Sequence, residues 1–117
     1  MSSNKLVISW ETAEKILNFR NERNWSQFHN PKDLAISISL ESAELLECFQ
    51  WSGSDIEVKS KHKEMKEELS DIFIYAVLLA DRLKINLDEA IQEKIAQNAE
   101  KYPVDKCFGK SSKYTEI

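Results

Sequence analysis

Two short acidic steps constrain this chain more than any other feature. Glu41-Ser42-Ala43-Glu44 lies inside the run Leu34 to Trp51, and Glu68-Leu69-Ser70-Asp71 stands at the head of the run Leu69 to Leu83. Both runs have the apolar density of buried helix. A helical spacing of three puts two side chains about one turn apart on the same face, so each step is a pair of carboxylates pointing one way. An unpaired carboxylate turned inward from such a helix is neutralised or finds a cation. Four of them on two helices point to a metal.

The helices themselves can be delimited from local cues. Ser9 precedes a run in which Ile8, Thr12, Ile16, Phe19 and Arg20 recur at helical spacing, which predicts a first helix up to about Arg23. Asn30 before Pro31 reads as an N-cap followed by proline at the first helical position, so a second helix begins there. Its apolar residues, from Leu34 to Phe49, cover most of the circumference and predict burial on nearly every side. The exception is the stripe Ser37, Glu41, Glu44, Cys48, Trp51, with Glu47 at its edge and Gly53 as a left-handed stop. A third helix is expected from about Lys59 to Leu83, with the polar stripe Glu64, Glu68, Asp71, Tyr75. Asn86-Leu87-Asp88-Glu89 is a capping-box pattern that starts a fourth helix, which Pro103 ends.

The expected architecture is all-α, a four-helix bundle-like domain around a central antiparallel hairpin of helices two and three. In such a hairpin, residues at equal height share a midpoint in the connection. Glu44 and Glu68 share Ile56, and so do Glu41 and Asp71. With a symmetric connection the two pairs sit level, at a separation over which divalent ions are shared. All four ligands are hard oxygens, and neither His29 nor His62 stands three residues after a Glu, as a di-iron bundle requires. That set fits magnesium, which completes its shell with waters and phosphate oxygens. A phosphorylated small molecule is the implied ligand.

Length and composition agree with these expectations. The 117 residues are the size of one domain, with a short C-terminal tail from about 104. The net charge of −4 argues against a coat for polymeric nucleic acid, and no apolar run reaches the length of a membrane span. Two isolated cysteines, Cys48 and Cys107, form neither a disulfide framework nor a zinc spacing, so a cytoplasmic setting is expected. The first residues lack the charged-then-apolar pattern of a signal peptide.

Other readings compete at each position. The four carboxylates would be ordinary solvated groups if they served as partners of Lys61, Lys63 and Lys66. Glu47, one turn past Glu44, is a candidate general base or an exposed edge residue. Trp25, Phe28, Trp51 and Tyr75 would stack on a nucleobase or pack in the core. Lys94, Asn98 and Lys101, at spacings of four and three, would hold phosphate oxygens or form a solvated helix face. His29 reads as a capping or packing residue, and Cys48 as a small buried hydrophobe.

These segments resemble the MazG-like all-α nucleoside triphosphate pyrophosphatases, in the branch that includes the dCTP pyrophosphatases. The family pattern Glu-x-x-Glu, spacer, Glu-x-x-Asp is present as Glu41, Glu44, Glu68 and Asp71. Arg23 to Pro31, Glu47 to Trp51, Glu68 to Tyr75, and Lys94-x-x-x-Asn98-x-x-Lys101-Tyr102-Pro103 are similar as well. The likeness runs from about Phe19 to the C-terminus.

The resemblance implies hydrolysis of a (deoxy)nucleoside triphosphate to the monophosphate and pyrophosphate, with dCTP or another dNTP as substrate and a role in nucleotide-pool housekeeping. It implies magnesium as cofactor, with manganese as substitute, held by Glu41, Glu44, Glu68 and Asp71. Glu44 and Glu47 would serve the catalytic step. Trp25, His29, Trp51 and Tyr75 would meet the nucleoside, and Lys94, Asn98, Lys101 and Tyr102 the phosphates and sugar. Helix one departs most, because Ile16 and Asn18 offer little polar recognition of a base. Relatives assemble as dimers or tetramers with sites built from two subunits, and the apolar hairpin independently predicts self-association. A non-catalytic helical module for oligomerisation is the alternative function.

Overall fold

The structure, a computed structural model, describes residues 8–116. Among them the regular elements are all helical. The Ser9 Oγ accepts from the Thr12 N–H at 3.1 Å and opens α1, Trp10–Glu22. A 3-10 turn, Trp25–Phe28, follows Asn24 in a left-handed conformation. Asn30 Oδ1 accepts from the Asp33 N–H at 2.9 Å, and with Pro31 at its first position α2 runs Pro31–Glu47. After a 3-10 turn at Lys59–Lys61, α3 spans His62–Leu83 and ends where Lys84 turns left-handed.

The chain divides into two compact units at Lys84 and Ile85. In the first, α2 and α3 form the main helix pairing, and α1 packs on α3 less extensively. The Arg20 Nη1 donates to Asp81 Oδ2 at 2.8 Å and ties α1 to α3. In the second unit, Asn86 Oδ1 accepts from the Glu89 N–H at 3.2 Å and caps α4, Leu87–Lys101. A one-turn helix, α5, Val104–Cys107, and a 3-10 turn, Tyr114–Glu116, occupy the expected tail.

Two expectations for α2 need correction. The helix stops at Glu47, short of Trp51, because the amides of Cys48, Phe49 and Gln50 each bond three residues back and tighten the last turn. Trp51 is itself left-handed, at φ 67°, so it leaves the helical stripe before Gly53 is reached. Nor does one chain bury α2 on nearly every side. Leu34 is fully buried, but Ile36, Leu40 and Leu46 are 48%, 60% and 70% exposed. One helix pairing covers one flank of each partner, and the remaining apolar residues face outward.

Buried apolar residues are few among the described positions: Leu34 from α2, Leu78 and Ala80 from α3, and Cys48 and Val58 from the connection. Asp55 Oδ1 accepts from the Val58 N–H at 3.0 Å, which holds that connection in a tight turn and lets the Val58 side chain plug the core. No described helix is long and apolar enough to cross a membrane.

Candidate functional site

The pairing of α2 with α3 brings together three of the four expected carboxylates. One oxygen from each of Glu41, Glu44 and Glu68 lies within 4.8 Å of the others. Asp71, one turn beyond Glu68, stands outside that group, yet its charge reaches Glu41. The two serines inside the acidic steps take no part. Ser42 Oγ donates to the Ile38 carbonyl at 2.9 Å and Ser70 Oγ to the Lys66 carbonyl at 2.7 Å, each within its own helix.

The electrostatics of the group are those of charge without compensation. The Oε2 atoms of Glu41 and Glu68 are buried and have no hydrogen-bond partner among the described residues. Hydrogen bonding with Glu44 comes first in pushing the Glu68 carboxyl up to about 7, followed by loss of solvent and the neighbouring charges of Glu44 and Glu41. Burial is the main cause that raises Glu41, reinforced by hydrogen bonding to Glu44 and by the charges of Glu44 and Asp71, while a hydrogen bond with Glu68 opposes it. The lysines weighed as surface partners do not serve here. Among the described residues Lys63 pairs instead with Glu67 at 4.0 Å. A trio of hard oxygens with two orphaned, buried ligand atoms fits a divalent cation.

Beside the carboxylates lies an apolar cavity of about 680 Å³ between α1, the 3-10 turn at Trp25 and α3. Trp25, His29, Asp71 and Tyr75 all line it. Asp71 therefore belongs to the cavity wall and to the electrostatic surroundings of Glu41. Trp25 meets Phe19 edge-on at 5.8 Å and His29 at 6.4 Å. Burial and then the Arg20 charge lower the His29 pKa, so that imidazole is neutral near pH 7, with its buried Nδ1 unpartnered.

Other expected residues lie apart from this cavity. Trp51 is 92% exposed and does not line it. Glu47 is exposed and borders a second, open cavity with Glu44 and Glu68. Cys48 is buried as a small apolar group. Lys94, Asn98, Lys101 and Tyr102 all belong to the second unit. There Lys101 Nζ sits 5.1 Å from the centre of the Tyr114 ring, which also meets Tyr102 edge-on at 5.9 Å.

Arg20 on the cavity wall, paired with Asp81 of α3, was not anticipated. Its signal was available, since each residue is an isolated charge on an otherwise apolar helix face, but the partners are 61 positions apart.

Residues 36–117 match the MazG-like family. The chain is 39% identical over 104 residues to dCTP pyrophosphatase 1 of Mus musculus, covering 85% of this chain and 61% of that protein. It is 38% identical over 104 residues to dCTP pyrophosphatase 1 of Homo sapiens, with the same coverage. It thus spans about 61% of the length of these curated relatives. The crystal structure of a pyrophosphatase from Archaeoglobus fulgidus superposes with a TM-score of 0.74 at 44% identity, covering 80% of this chain and 90% of that one.

Proposed function

Because this chain belongs to the MazG-like family, we propose that it hydrolyses (deoxy)nucleoside triphosphates to the monophosphate and pyrophosphate with a divalent cation, magnesium or in substitution manganese. The observation that carries this reading is the convergence of Glu41, Glu44 and Glu68 with the Oε2 atoms of Glu41 and Glu68 buried and unpartnered. The names of the relatives support the substrate class, with dCTP among the candidates. The family match, residues 36–117, takes in part of the first compact unit and all of the second, which supports reading residues 1–117 as one four-helix bundle-like domain around an antiparallel α2–α3 hairpin.

Glu41, Glu44 and Glu68 would hold the cation, with Asp71 as the fourth acidic group beside them. When bound, such an ion neutralises triphosphate charge and lowers the pKa of a water that attacks phosphorus. Glu47, one turn past Glu44 in sequence, would act as general base towards the attacking water, and Glu44 would help to orient it. Trp25 and Tyr75 flank the base in the apolar cavity, and neutral His29 packs against Trp25. Trp51, held outward on the connection, is assigned to the nucleoside from the resemblance alone. The same applies to Lys94, Asn98, Lys101 and Tyr102 as ligands of phosphate and sugar.

The outward apolar residues of α2 and α3 support self-association as a dimer or tetramer. Those same faces favour the second reading, a non-catalytic interaction module. Pyrophosphate release from a panel of triphosphates with magnesium separates the two. Activity in the parent and its loss in Glu41→Gln are expected. Orthophosphate as the first product, or full activity in Glu41→Gln, overturns the reading.

A further inference from the structure

The cavity beside the carboxylates contains a fixed cation that the chemistry above does not use. Ile16 and Arg20 reach its wall from one face of α1, a single turn apart. The Arg20 side chain is 11% exposed, whereas that of Lys15, also on the wall, is 75% exposed and paired with Glu11 at 3.7 Å. A guanidinium offers five N–H donors and no acceptor. Nη1 donates to Asp81 at 2.8 Å and Nε to Asn21 Oδ1 at 3.0 Å, which leaves Nη2 without a protein acceptor among the described residues. With two of its nitrogens tethered the fork cannot swing away from the wall of this apolar space.

We propose that Arg20 reads the base, selecting nucleoside triphosphates whose base carries an exocyclic carbonyl oxygen and disfavouring adenine, whose exocyclic group is an amine. This rests on the pyrophosphohydrolase reading and deepens it. A carbonyl oxygen projects from the ring and accepts a charge-assisted bond from Nη2. An amine in the same place sets donor against donor, and in an apolar wall both groups lose water without gaining a partner. Ile16 supplies no competing polar group on that face. The ring itself is held by Trp25 and Tyr75, which accept any base, so discrimination falls to the polar groups of the wall, where Arg20 is the buried cation and His29, with its unpartnered Nδ1, is neutral.

The test is kcat/KM for pyrophosphate release from dCTP, dUTP, dGTP and dATP, by the parent and by Arg20→Met. A hydrogen bond to a charged donor corresponds to roughly tenfold to a hundredfold in selectivity. The parent should favour the three carbonyl-bearing substrates over dATP by about tenfold or more, and Arg20→Met should cut that ratio by a similar factor. The double variant Arg20→Met/Asp81→Leu removes the stranded carboxylate, so the ratio can be read even if the single variant folds poorly. A parent that prefers dATP, or a ratio unchanged in the variants while they still hydrolyse, overturns the proposal and leaves the pyrophosphohydrolase reading intact. Pyrophosphate from none of the four, with the parent folded and magnesium present, removes that reading and this proposal together.

Discussion

Glu41→Gln should change thermal stability in opposite directions with and without magnesium. Glutamine keeps the size of the side chain, removes one charge and adds an N–H donor for the carboxylates around it. In buffer well above pH 7, where the group no longer holds protons, two full charges within 4.8 Å of each other repel by roughly 3 kcal/mol at an effective dielectric of about 20. Glu44 is exposed, so solvent screens this to about 1 kcal/mol or less. For a domain of this size that raises the Tm by about 4 °C at most. In magnesium the order reverses. At about 100 times its Kd, a ligand stabilises the state that binds it by about 2.7 kcal/mol, which moves the Tm of the parent by on the order of 10 °C. The variant, short of one ligand, should gain much less. Differential scanning calorimetry in chelator and across a magnesium titration gives all four values. A variant melting below the parent in chelator, or equal gains from magnesium in both, would refute the argument that the carboxylates repel until a cation joins them.

Three further outcomes are expected. Glu68 and Glu41 are acids with raised pKa values, so the folded metal-free protein holds protons that the unfolded chain has released. The stability they provide is complete below the ordinary carboxylate value near 4.5 and is lost as pH rises through about 7. The Tm in chelator should therefore fall across that window, and Glu68→Gln should flatten the slope; a parent and variant with parallel profiles would contradict the shift. Leu34→Ala, at a side chain 1% exposed, should cost about 2–5 kcal/mol in urea unfolding, and a cost under about 1 kcal/mol would mean that Leu34 is not the centre of the core. Leu40→Lys, on the outward face of α2, should shift light-scattering mass towards the monomer with little change in helix content, whereas a parent already monomeric at micromolar concentration would count against self-association.

What was legible in the sequence is what short-range chemistry decides. The capping residues Ser9, Asn30 and Asn86 each start the helix they announce, because a side-chain oxygen three residues from an orphan amide is a local fact. The acidic steps are legible for the same reason, and the helix pairing then brings three of the four carboxylates together. The end of α2 was not legible. Apolar periodicity continues to Phe49 and Trp51, but the chain has already tightened after Glu47, and the glycine that usually marks a stop comes later. Periodicity also shows that Leu40 and Leu46 are apolar, not what covers them, so burial all round was expected where a single chain leaves them open. Arg20 and Asp81 are joined only by tertiary packing, and so the cation on the cavity wall escaped a reading built on local spacing.

Asp71 belongs at once to the cavity wall and to the charge environment of Glu41. An occupant of the cavity and a cation on the carboxylates that both act on Asp71 are coupled through it. Whatever factor an occupant of the cavity imposes on cation affinity, the cation must impose on the occupant, because the coupling free energy is a single quantity measured from either side. The cavity and the carboxylates are in that sense one thermodynamic unit, and titrating a nucleoside without phosphates against the metal-loaded and metal-free protein would report the size of their coupling apart from any turnover.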